Sequence, residues 1–118
     1  MRKILFIEDD LSLAAAYRAK LAKHFQTAGA LTGDEGIEQA ASWKPDIILL
    51  DLFLPGRSGF EVLKELKKNE KTKQIPVLVL TNLEGQCDTV IKGGAEECFI
   101  KTETSMDTIV TKIEQYLK

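Results

Sequence analysis

Four short apolar runs, each cut off by a polar residue, constrain this chain more than any other feature. Ile4-Leu5-Phe6-Ile7 runs into Glu8-Asp9-Asp10, and Ile47-Ile48-Leu49-Leu50 into Asp51. Val77-Leu78-Val79-Leu80 runs into Thr81, and Cys98-Phe99-Ile100 into Lys101. Apolar runs of this length, without alternation, read as strands buried on both faces, as in parallel sheets. In an open parallel sheet the carboxyl ends of the strands share one edge, where ligands bind. Residues far apart in sequence would therefore gather acids, a hydroxyl and an ammonium at one place.

The segments between the runs carry helical patterns. Leu13, Tyr17, Leu21 and Phe25 recur every four residues, one stripe of a first helix. Gln26 to Ala30 reads as a second, weakly marked strand. Ile37, Ala40 and Ala41 predict a second helix that stops near Trp43-Lys44-Pro45, because a proline disfavours helix in the residue before it. Leu54-Pro55-Gly56-Arg57 has turn composition, and Ser58-Gly59-Phe60-Glu61 fits a capping box opening a third helix with Phe60, Leu63 and Leu66 inward. A short fourth helix is expected from Glu84 to Lys92, ended by Gly93-Gly94. Met106, Ile109, Val110, Ile113 and Leu117 trace the stripe of a last helix. Five strand–helix units with connections too long for hairpins predict an α/β fold, a doubly wound five-stranded parallel sheet.

Size and charge narrow the function. A chain of 118 residues fits one domain, here residues 1–118, with a core that needs no staples. Sixteen basic against eighteen acidic residues leave a net charge of −2, which gives no general pull toward nucleic acid. The apolar runs are too short to span a membrane, and Met1-Arg2-Lys3 leads straight into a strand, not a signal-peptide core. Cys87 and Cys98 stand eleven positions apart with one distant His, which suits neither a redox pair nor a zinc site; reduced thiols in a cytoplasmic protein are expected.

Asp9 and Asp51 would be neighbours if strand one lies beside strand three. Like charges at that separation raise one carboxylate pKa unless a cation sits between them. Mg²⁺ suits such a set because it takes oxygen ligands from a few carboxylates, waters and phosphate. Lys101 adds a fixed positive charge, and Thr81 a neutral donor for a phosphoryl oxygen. Each residue alone has a bland reading: a solvated acid, a surface lysine, a β-forming threonine. Four strand ends with compatible chemistry are hard to assemble by chance.

Over its whole length the chain resembles a bacterial response-regulator receiver domain. The resemblance rests on Ile4-Leu5-Phe6-Ile7-Glu8-Asp9-Asp10, on Pro45-Asp46-Ile47-Ile48-Leu49-Leu50-Asp51-Leu52-Phe53-Leu54-Pro55-Gly56, on Leu80-Thr81 and on Phe99-Ile100-Lys101. It implies a flavodoxin-like (βα)₅ fold with strand order 2-1-3-4-5, an order that a chemotaxis receiver already exemplifies. It implies Asp51 as phosphoacceptor, with Mg²⁺ (or Mn²⁺) on Asp9 directly, on Glu8 through water, on Asp51, and on the backbone carbonyl of Phe53. Thr81 and Lys101 would bind phosphoryl oxygens. The phosphoryl donor would be a sensor histidine kinase or a phosphotransfer protein. The output would be a downstream target or attached domain, read from the surface of helix four, strand five and helix five, where dimerisation could also occur. Neither direct nucleic-acid contact nor membrane insertion is expected, and the domain would catalyse only its own phosphorylation and slow autodephosphorylation.

Several positions depart from the family pattern. Cys98 stands where many receivers carry a Tyr or Phe whose rotation reports phosphorylation, and Phe99 faces the other side of the strand. Thr102 replaces a common Pro, so the Lys101–Thr102 peptide is expected to be trans or strained. The Thr81-to-Lys101 interval is short, which predicts a short fourth helix. Phe53 and Leu83 would flank the phosphoryl group and hinder attacking water. The rival reading is a pseudo-receiver, an interaction module of the same fold whose output no longer depends on phosphate. A phosphohydrolase is disfavoured because Glu8-Asp9-Asp10 lacks the Asp-x-Asp spacing after strand one, and a flavin binder because three acids there repel a phosphate.

Overall fold

The computed structural model describes residues 1–82 and 85–117. Leu83 and Glu84, the flanking residue and helix start expected above, lie outside the described residues. The strands are β1 (Lys3–Ile7), β2 (Gln26–Ala30), β3 (Ile47–Asp51), β4 (Val77–Thr81) and β5 (Glu97–Ile100). Alternating with them are α1 (Leu11–Leu21), α2 (Gly33–Trp43), α3 (Gly59–Lys68), α4 (Cys87–Lys92) and α5 (Met106–Tyr116), with a 3₁₀ turn over Lys101–Glu103. All strand pairs are parallel, in the order β2-β1-β3-β4-β5, as expected for the doubly wound arrangement.

Alternate side chains of each strand feed two cores, because successive strand residues point to opposite faces. On one face Leu5, Ile7, Ile48, Leu50, Val77 and Val79 meet Ala40 of α2, Val62, Leu63 and Leu66 of α3, and Val90 of α4. On the other, Ile4, Phe6, Leu49 and Leu78 meet Tyr17 and Leu21 of α1 and Ile109 and Ile113 of α5. The stripes expected for the first, third and last helices are the faces buried, although Phe25 packs on the core from beyond the end of α1. Four helices begin with a side-chain cap: Asp10, Thr32, Ser58 and Ser105 each accept the backbone N–H three residues on. α2 stops where expected, but Lys44 does so in the left-handed region (φ 54°), not in the extended one that a following proline favours.

One expectation is corrected. Cys87 and Cys98 are joined as a disulfide, with Cα atoms 5.5 Å apart, and are not free thiols. Eleven residues of separation conceal this, because the short α4 and the Gly93-Gly94 turn bring the chain back upon its own start. The other departure resolves simply. No cis peptide occurs among the described residues, so Lys101–Thr102 is trans.

Candidate functional site

The sheet delivers its polar strand ends to one edge. Glu8 follows β1 and continues its ladder, its N–H donating to Ala30 O at 3.0 Å. Asp51 is the last residue of β3, in register with Leu80 of β4. Thr81 ends β4 opposite Ile100 of β5, and Lys101 follows immediately. Lys101 thus starts two strands away from Asp51 and reaches across the end of β4. Its Nζ lies 2.8 Å from Glu8 Oε1 and 3.1 Å from Asp51 Oδ2.

Glu8 and Asp51 are both buried, at 7% and 5% exposure, so Lys101 pairs with two desolvated carboxylates. Each has a second bond: the Asp10 N–H donates to Glu8 Oε2 (3.1 Å) and the Phe53 N–H to Asp51 Oδ1 (3.2 Å). Burying an acid favours its neutral form. That cost, increased by the Asp51 charge, raises the Glu8 carboxyl to about 7, although Lys101 and the Asp10 N–H pull it down. The raised carboxyl is thus Glu8, which the Asp9–Asp51 expectation did not name, and burial is its main cause, with the Asp51 charge a smaller one. Burial lowers the Lys101 pKa, but its bonds to Glu8 and Asp51 and their charges outweigh this and raise it. Tyr17 lies on the same side of the sheet; burial and then the Glu8 charge push its hydroxyl up to about 12.

Glu8, Asp9 and Asp51 each offer one oxygen, and these lie within 4.8 Å of one another. Hard oxygen donors at that spacing, with Asp9 exposed to solvent, fit a cation that keeps some of its waters. The open cleft above them, about 470 Å³, is lined by Glu8, Asp9, Asp10, Asp51, Phe53, Asn82 and Lys101. Phe53 is 73% exposed at its mouth. Of the sequence-predicted residues, Glu8, Asp9, Asp51, Phe53 and Lys101 thus share one cleft. Thr81 is fully buried at the end of β4, and the wall beyond it is Asn82. Asp10 is taken by the α1 cap, bonding the Leu13 N–H at 3.1 Å.

Sequence reasoning missed Gly59. A Cβ there would stand 2.4 Å from both Asp51 O and Leu52 Cα, so only glycine lets α3 start against the end of β3. The Gly59 N–H also bonds Leu52 O at 2.9 Å. A glycine directly after a helix cap was the available signal. It reads as an ordinary member of the capping box until the strand end beneath it is known.

Comparison with known proteins agrees with this architecture. The chain is 35% identical over 102 residues to the response regulator PleD of Caulobacter vibrioides, covering 84% of this chain but 22% of PleD. It is 33% identical over 115 residues to the protein PilH of Pseudomonas aeruginosa, covering 92% of this chain and 95% of PilH. The response regulator TrrA of Thermotoga maritima, solved in complex with Mg²⁺ and a beryllium fluoride, superposes with a TM-score of 0.86 at 25% identity, over 98% of this chain and 99% of TrrA. The model of the response regulator receiver domain matches residues 4–114, and the chain belongs to that family of two-component signalling domains.

Proposed function

We propose that this receiver takes a phosphoryl group onto Asp51 from the phosphohistidine of a sensor histidine kinase or phosphotransfer protein, in the cytoplasm. The observation that carries the reading is the convergence of Glu8, Asp9 and Asp51 oxygens within 4.8 Å, with Lys101 bonded to Asp51. In the reaction an Asp51 oxygen forms the new P–O bond while the P–N bond breaks, and the imidazole leaves, taking up a proton. The Phe53 N–H and Lys101 orient the Asp51 carboxylate, so positioning and charge do most of the work. Lys101 and the Thr81 hydroxyl would hold phosphoryl oxygens.

Mg²⁺ (or Mn²⁺) would be held by Asp9, Asp51 and the Phe53 carbonyl, with Glu8 through water, and would supply charge neutralisation on the phosphoryl oxygens. The acid cluster supports this reading, as does the Mg²⁺ complex of TrrA. The product is an aspartyl phosphate, whose charge and acceptor oxygens bias the neighbouring surface of α4, β5 and α5. That surface would serve the downstream target or output domain, and a second copy if the receiver dimerises.

The test is intact-mass analysis after incubation with acetyl phosphate. One phosphoryl group should add to the wild-type chain with Mg²⁺, none with a chelator, and none to Asp51→Asn. A labelled Asp51→Asn variant, or no label under any condition, would reject the reading; the latter would favour the phosphate-independent module.

A further inference from the structure

The Cys87–Cys98 bond lies in the region that the proposed function makes mobile. Cys87 is the first residue of α4, and Cys98 lies within β5, in register with Val79 and three positions before Lys101. The bond therefore ties the start of α4 to the strand that delivers the site lysine. Both cysteines are partly exposed, Cys98 while also packing against the core.

α4 has little else to hold it. It is six residues long, its only buried residue is Val90, and its N-cap Gln86 makes no side-chain capping bond among the described residues. Helices this short are marginal without outside support. The other helices run ten or eleven residues, and each has a side-chain cap. A covalent tie at the start of the weakest helix therefore decides whether that helix is fixed or loose. Disulfides in reducing compartments are usually transient and redox-sensing, which suits a bond in a cytoplasmic signalling domain.

We propose that Cys87 and Cys98 form a reversible thiol switch: the closed bond locks α4 onto β5, and α4 answers phosphorylation only when the bond is open. The second half of this statement rests on the phosphoacceptor reading of Asp51; the first does not. Closure is thiol–disulfide exchange with a low-molecular-weight disulfide such as oxidised glutathione. One cysteine thiolate attacks the small disulfide and releases one small thiol. The second cysteine then displaces the other, and the two protein sulfurs give up two electrons and two protons in all. Reduction by excess small thiol reverses each step.

The test uses the full chain after treatment with oxidised glutathione or with dithiothreitol. Alkylation and mass analysis count free thiols, and amide hydrogen exchange follows residues 86–95, with and without acetyl phosphate and Mg²⁺. The oxidised chain should have no free thiol and the reduced chain two. Without phosphodonor, α4 amides should exchange about tenfold more slowly in the oxidised chain, as expected when local opening is suppressed. Phosphodonor should label Asp51 in both states but change α4 exchange only in the reduced one. The variant carrying both Cys87→Ser and Cys98→Ser should behave as reduced under either treatment. Two free thiols after oxidation, equal exchange in the two donor-free states, equal donor responses, or a redox response in the double variant would each overturn the switch. Absence of label in both states would instead overturn the phosphoacceptor reading, and the donor-free comparison would still decide the lock.

Discussion

Glu8 has the most consequential chemistry of any single residue. Its carboxyl, raised from 4.5 to about 7, keeps a proton in the folded protein that the unfolded chain loses at lower pH. The folded state then binds more protons than the unfolded one between those values, so stability falls as pH rises through that window and levels off above it. Without Mg²⁺, wild type minus Glu8→Gln should show this loss in denaturant melts, with a slope of about 1.4 kcal/mol per pH unit at most. Equal pH profiles for the two proteins would refute the buried, raised acid. Phe53 is the other residue with a distinct expectation. It is exposed at the cleft mouth, and if Asp51 is phosphorylated it would stand in the path of attacking water. Phe53→Asn should shorten the phosphoryl lifetime by up to about tenfold, equivalent to ~1.4 kcal/mol of barrier. An unchanged decay rate would remove Phe53 from that role.

At the level of elements, β3 and α3 meet in a close backbone approach at Gly59. A methyl at position 59 would collide with backbone of the strand that carries Asp51, and backbone has little room to give. Gly59→Ala should cost about 3 kcal/mol, the upper range for overpacking, and should slow Asp51 labelling; denaturant melts and labelling rates would check both. Wild-type values in both assays would mean the junction yields easily. This junction also shows where the sequence stops being informative. The strands were legible because fully buried parallel strands must be continuous apolar runs, and the start of α3 because Ser58-Gly59-Phe60-Glu61 has the capping-box pattern. The convergence on Lys101 was legible because strand ends share an edge. Contacts made by chain return were not: Gly59 against Asp51, Cys87 against Cys98, and the bond from Lys101 to Glu8 all depend on close approaches that no local pattern encodes. The burial of Thr81 was hidden likewise, since a strand-end threonine looks the same exposed or enclosed.

Taken whole, the molecule gathers the three acids Glu8, Asp9 and Asp51 with one lysine at a sheet edge, and a bound divalent cation would complete their charge balance. Anything that binds only the folded state stabilises it by mass action. Mg²⁺ at a hundredfold excess over its dissociation constant should therefore add about 2.7 kcal/mol to unfolding stability. A chelator should reverse this, and Asp51→Asn should weaken it; an unchanged melting temperature at saturating Mg²⁺ would mean that the acids hold no ion. The central claim is that all these groups serve one atom set on Asp51. Borohydride trapping tests it most directly, because reduction converts a phosphorylated aspartate to homoserine at the position that carried the phosphate. After phosphodonor and Mg²⁺, peptide sequencing should find homoserine at position 51 alone; conversion at another acid, or none on a chain that carries the label, would contradict the account.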